Sequence, residues 1–136
     1  MVRPTIPGES RQGGFTLIEL ITVVALISIL AAIALPNYRV AIIQTREAVL
    51  KENLFQLRDM IDQYYIDKGQ YPPTLESLVE ASYLRKLPED PITRAPDWIE
   101  VFAEPDPDRP GEPAGVYDVQ SAAETASLGG TPYSEW

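Results

Sequence analysis

From Phe15 to Leu35 the chain reads FTLIELITVVALISILAAIAL, 21 residues with no Gly or Pro and only Thr16, Glu19, Thr22 and Ser28 polar. As a helix this stretch is about 31 Å long, enough to cross the hydrocarbon core of a bilayer. The leader before it, MVRPTIPGESRQGG, carries Arg3 and Arg11 against Glu9. Such a basic flank suits a cytoplasmic N-terminus, with the rest of the chain on the far side of the membrane. The same ingredients also describe a secretory signal peptide cut after Ala34, within the small-residue run Ala32-Ile33-Ala34. Against that alternative, the apolar run exceeds the usual length of about 7–15 residues, holds a carboxylate near its start and passes into further helix.

Pro36 removes one backbone donor and its ring crowds the preceding turn, so a kink is expected there. Helical patterning resumes at once. Ile43, Leu50, Leu54, Leu57, Ile61 and Tyr64 form one apolar face, and Glu47, Lys51, Arg58, Asp59 and Asp62 belong to the solvated side. Gly69 followed by Tyr71-Pro72-Pro73 ends the pattern. Residues 15 to about 67 therefore read as a single helix of roughly 80 Å, too long to fold back inside a small domain, so it must protrude.

Residues 68–136 read as a small head. Thr74 is placed to cap a short helix through about Leu84, with Leu75, Leu78, Val79 and Tyr83 facing inward. WIEVF (98–102) and VYDVQS (116–121) have strand composition, with Tyr117 and Val119 alternating against Asp118 and Gln120. Between them, residues 103–114 (AEPDPDRPGEPA) combine four Pro with five charges and read as a solvated acidic loop. The expected class is α+β: a long N-terminal helix kinked near Pro36, then a short helix and a small antiparallel sheet.

Charge is segregated along this plan. The net charge of −9 comes entirely from residues 89–136, which hold eleven acids and two bases. That balance argues against a nucleic-acid partner. The chain has no Cys and no His, which excludes a disulfide framework, a Cys/His zinc site and nucleophile–histidine hydrolysis. The acid pairs Glu89-Asp90 and Asp106/Asp108 adjoin prolines and have no catalytic partner group, so no enzyme is expected.

Glu19 is the residue that needs explaining, because an ionisable group inside a membrane helix is costly without a partner. No basic side chain lies between Arg11 and Arg39. A cut between Gly14 and Phe15 would create an α-amine four residues before Glu19. That amine can neutralise Glu19 of its own chain or of a neighbour, and pairing with a neighbour would fix axial register in a stack of helices.

In these residues, GGFTLIEL at 13–20, the chain resembles the type IV pilin-like proteins, and the likeness extends through Pro36. The resemblance implies an N-terminal leader, residues 1–14, removed by prepilin peptidase between Gly14 and Phe15. It further implies methylation of the Phe15 amine and a role for Glu19 in assembly. Residues 15–35 then serve as membrane and filament-core helix, 36–67 as its amphipathic continuation and 68–136 as a periplasmic head. QYYIDKGQYPPTLESL (63–78), YLRKLPEDP (83–91) and GVYDVQS (115–121) look like the major pseudopilins of type II secretion systems. That group implies a helical homopolymer assembled in the inner membrane with minor pseudopilins and an assembly platform, its head outside the cytoplasm.

Major pseudopilins of this kind bind calcium in a C-terminal loop of the pattern Ser-x-Gly-x-Asp-Gly. The corresponding run here is Ser121-Ala122-Ala123-Glu124-Thr125-Ala126, without the glycines or the Asp. Asp118, Ser121, Glu124 and backbone carbonyls could supply some of the oxygens such an ion needs. The other expectation, which we favour, is an acidic loop without metal, held by packing of Tyr133 and Trp136, and no cofactor is required. Two further functions stay open: a type IV pilin of a surface pilus, and a membrane-anchored periplasmic module that never polymerises.

Overall fold

A computed structural model of the chain describes residues 1–2 and 13–136, so Arg3, Glu9 and Arg11 of the leader lie outside the described residues. Helix α1, Leu17–Lys68, runs without interruption through Pro36. With no N–H on Pro36, the Ala32 carbonyl loses its helical partner while the turns on either side persist. The chain divides into two compact units, Met1–Arg39 and Val40–Trp136.

In the second unit the apolar face of α1 does what its spacing predicts. Leu50, Leu54, Leu57, Ile61 and Tyr64 are all buried, and Ile43 is half-buried. They pack with Leu75, Leu78, Trp98, Val116, Val119, Ala123 and Tyr133 into one core. Gly69, at φ 70°, ends the helix, and its N–H donates to the Tyr65 carbonyl at 2.8 Å. A glycine adopts this left-handed conformation without the steric penalty of a Cβ.

Helix α2 spans Leu75–Glu80, and Thr74 caps it by accepting the Ser77 N–H at 3.3 Å. It stops four residues short of the expected Leu84. The cause is Ser82, whose φ of 65° turns the chain. Its N–H donates to the Val79 carbonyl at 3.1 Å, and the Tyr83 N–H reaches the Leu78 carbonyl at 2.9 Å. This pair of bonds is a Schellman ending built on a serine. Val79 and Tyr83 are half-buried, and Tyr83 packs against the edge of the core.

Strands β1, Ile99–Phe102, and β2, Val116–Gln120, pair antiparallel with Ile99 opposite Gln120 and Phe102 opposite Val116. A bulge sits at Tyr117, between the Val101–Asp118 and Phe102–Val116 pairs. The expected alternation is broken for that reason: Val116 and Val119 both face the core and Tyr117 is exposed. Trp98 lies just outside β1, with its ring buried and its Nε1–H donating to the Pro88 carbonyl at 2.8 Å. Gly115 has to be glycine, because a Cβ there would stand 2.5 Å from the Tyr71 Cβ and 2.6 Å from its carbonyl oxygen. The loop of residues 103–114 is exposed apart from Ala103 and Ala114 and is closed at its base by the Ala103 N–H on the Gly115 carbonyl at 2.8 Å.

Asp90 anchors the segment between α2 and β1. It is fully buried, takes the Ile92 N–H at 2.7 Å and accepts the Ser121 hydroxyl just beyond β2. A short 3-10 turn, Tyr133–Glu135, ends the chain.

Candidate functional site: the N-terminal helix and the head's polar clamp

The start of α1 is set by Thr16. Its Oγ1 accepts the Glu19 N–H at 3.3 Å, and its carbonyl accepts the Leu20 N–H at 3.1 Å. Thr16 and Glu19 thus stand at the spacing of a capping box, a local signal that reading Glu19 as a membrane charge had passed over. The carboxylate lies in the first helical turn, where the positive end of the helix dipole favours a negative charge. Gly14 and Phe15 immediately precede this cap in non-helical backbone.

Every residue from Gly13 to Ala41 is exposed. Phe15 is 88% accessible, and Leu17 and Ile18 exceed 70%. Over an 18-residue window the helix has a mean hydropathy of 2.7 with none of it buried. Each large apolar side chain is worth about 1.5–3 kcal/mol when removed from water, so this surface requires lipid or other helices around it. Its hydroxyls are already compatible with such surroundings. Thr22 donates to the Ile18 carbonyl and Ser28 to the Val24 carbonyl, each at 2.7 Å. Among the described residues, the Glu19 carboxylate has no ion-pair partner. What this segment can do chemically is therefore narrow: pack along its whole length and receive one positive charge at Glu19.

Of the three oxygen donors that could serve calcium, Asp118 and Ser121 are engaged by other groups. Asp118 Oδ1 accepts the Arg58 Nε–H at 2.7 Å and the Val119 N–H at 2.7 Å. Ser121 is buried; its hydroxyl donates to Asp90 and accepts the Ala123 N–H at 3.1 Å. Glu124 is exposed. No group of three or more acidic, His or Cys side chains suited to a metal occurs among the described residues. A guanidinium on the one Asp of the set opposes a second cation there, so the residues present do not fit a calcium ion.

The acid pairs differ in their surroundings. Asp90 turns into the core while Glu89 is exposed, and Asp106 accepts the Asp108 N–H at 2.9 Å within the exposed loop. Arg58, which the sequence reading placed among ordinary surface charges, is the residue it missed. Besides Asp118 it donates through Nη2 to the Val119 carbonyl at 3.1 Å and the Trp136 carbonyl at 2.7 Å. Glu47 accepts the Leu128 N–H at 2.7 Å and the Tyr133 hydroxyl at 3.0 Å. Lys51 Nζ stands 4.5 Å from the centroid of the Trp136 ring. Tyr133 and Trp136 pack edge to face at 5.2 Å, in keeping with the expected packing of the tail.

Comparison with known proteins matches residues 10–35 to the prokaryotic N-terminal methylation motif. The chain is 32% identical to type II secretion system core protein G of Escherichia coli (strain K12), over 88% of this chain and 86% of that protein. To core protein G of Pseudomonas aeruginosa it is 35% identical, over 60% of this chain and 68% of the relative. A fimbrial protein of Neisseria meningitidis is 41% identical, but over only 52% of this chain and 42% of its own length. No solved structure gives a significant match.

Proposed function

Because this chain belongs to the family of the type II secretion system core protein G, the type IV pilin-like major pseudopilins, we propose that it is a structural, non-catalytic pseudopilus subunit that polymerises through residues 15–35. Before assembly those residues anchor it in the inner membrane, with its N-terminus cytoplasmic and its head periplasmic. Prepilin peptidase cuts between Gly14 and Phe15 and methylates the new amine. The freed helix then leaves lipid for the filament core, working with minor pseudopilins and the inner-membrane assembly platform, and the growing filament drives protein export through the outer membrane. The Phe15 amine of one subunit meets Glu19 of the next, so charges are neutralised only at the right axial offset.

The observation that carries this reading is an exposed apolar helix that follows Gly-Gly-Phe and bears one carboxylate, Glu19, with no ion-pair partner among the described residues. The extent of the similarities favours a pseudopilus over a surface pilus. Likeness to the fimbrial protein stops at 52% of the chain, whereas likeness to core protein G reaches 88% and so includes the head.

Glu19→Ala tests the assembly role. The variant should insert in the membrane and lose its leader as the parent does, yet appear in sheared or cross-linked filaments at least about tenfold less, as expected when one partner of a buried ion pair is removed. Incorporation at the parental level would refute the role given to Glu19, whereas absence of the parent itself from filaments would favour the non-polymerising module.

A further inference from the structure

We infer that Arg58 is the head's resident cation: it holds the C-terminal segment to α1 from within, so that this subunit's fold does not depend on a divalent ion. The guanidinium meets three oxygens from two separate stretches of chain. They are Asp118 Oδ1 at 2.7 Å, the Val119 carbonyl at 3.1 Å and the Trp136 carbonyl at 2.7 Å. Joining β2 and the chain end to one centre of positive charge is the task that an oxygen-liganded ion would perform. Arg58 performs it with the planar fork of its guanidinium.

Two further side chains on α1 work on the same segment. Glu47 takes the Leu128 N–H and the Tyr133 hydroxyl, and Lys51 lies over the Trp136 ring. The three positions, 47, 51 and 58, recur at helical spacing and form a single stripe along α1. Meanwhile the loop that would have carried metal ligands reads Ser121-Ala122-Ala123-Glu124-Thr125-Ala126, and its Ser121 is committed to Asp90. Loss of loop donors and occupation of Asp118 by a side-chain cation are two independent observations with one consequence.

The experiment uses the full chain in mild detergent and reads stability, not export, so it can fail separately from the pseudopilus reading. Thermal unfolding of the parent protein is followed in calcium and in EGTA, with Arg58→Lys and Arg58→Met beside it. Parent midpoints should coincide in the two media. Arg58→Met should lower the midpoint by about 5–10 °C, a shift typical of losing a few hydrogen bonds in a domain of this size. Arg58→Lys should fall between, since lysine keeps the charge and loses the fork. Carboxypeptidase should release Trp136 faster from both variants, a readout specific to the freed tail. A parent midpoint that rises in calcium would overturn the inference. So would parental melting and parental Trp136 release in Arg58→Met. If Arg58→Met does not fold, the parent and Arg58→Lys measurements still decide the matter.

Discussion

Tyr133 is nearly fully buried, yet its hydroxyl ends on a carboxylate, Glu47. Burial raises its phenol above the ordinary value of 10.0, and the hydrogen bond to Glu47 raises it further. The folded state therefore holds this proton more tightly than the unfolded chain does. Its stabilising contribution is complete below the unfolded value and is lost as pH rises through the folded one. Tyr83, raised chiefly by its hydrogen bond to Asp67, has the same sign. Urea unfolding across a pH series should thus be level on this account up to about pH 10 and weaken above it. Tyr133→Phe should make the decline shallower, with Tyr83 supplying what remains, and should cost about 1 kcal/mol at neutral pH through the lost hydrogen bond. An unchanged alkaline slope would count against the assignment. At this scale legibility depends on sequence distance. Gly14, Phe15 and Glu19 fall within six positions and were readable together. Arg58 meets Asp118 across 60 positions, and Ser121 meets Asp90 across 31. Only folding brings such pairs together, so no local pattern announced them.

The secondary elements were legible wherever periodicity alone decided them. The apolar face of α1 from Leu50 to Tyr64 needed nothing beyond helical spacing, and the structure buries all five of its core positions. α2 and β2 departed from expectation because single residues changed the backbone. Tyr117 bulges out of β2, so that Val116 joins Val119 on the core side in its place, a choice made by pairing with β1 that no one-strand pattern contains. Ser82 ends α2 at φ 65° although serine is no usual occupant of that conformation. The left-handed backbone costs a non-glycine residue about 1–2 kcal/mol, and glycine gives part of that gain back through its more flexible unfolded chain. Ser82→Gly should accordingly stabilise the head by about 0.5–1 kcal/mol, seen as a higher urea midpoint with an unchanged slope. A lower midpoint would mean that the serine makes a contact more valuable than the strain it bears.

Across the whole chain, burial and charge assign opposite tasks to its two ends. Every core side chain lies between Leu50 and Tyr133, whereas residues 13–41 contain not one buried position. Residues 13–39 thus add nothing to the head's hydrophobic stabilisation, and their exposed apolar surface accounts for the need of lipid or neighbouring helices. The acids, by contrast, concentrate in residues 89–136, where they keep the head soluble and discourage non-specific association. Removing residues 1–39 should then yield a soluble Val40–Trp136 fragment that unfolds in one cooperative step, its near-UV circular dichroism and tryptophan fluorescence transitions coinciding. Its midpoint should lie within about 2 °C of the full chain's in detergent, because no side chain among the described residues deleted is part of the core and a change well below 1 kcal/mol shifts the midpoint little. A fragment that melts broadly, or with separated transitions, would show that the first half of α1 stabilises the head by extending the helix even without burying a side chain. In that case leader cleavage, membrane exit and head stability would be coupled in one helix, and Pro36 would be the place to measure the coupling, since the backbone ladder is already broken there. The cooperative outcome instead separates the tasks: the head folds by its own core and Arg58 clamp, and the apolar helix is left free to exchange lipid for neighbouring subunits.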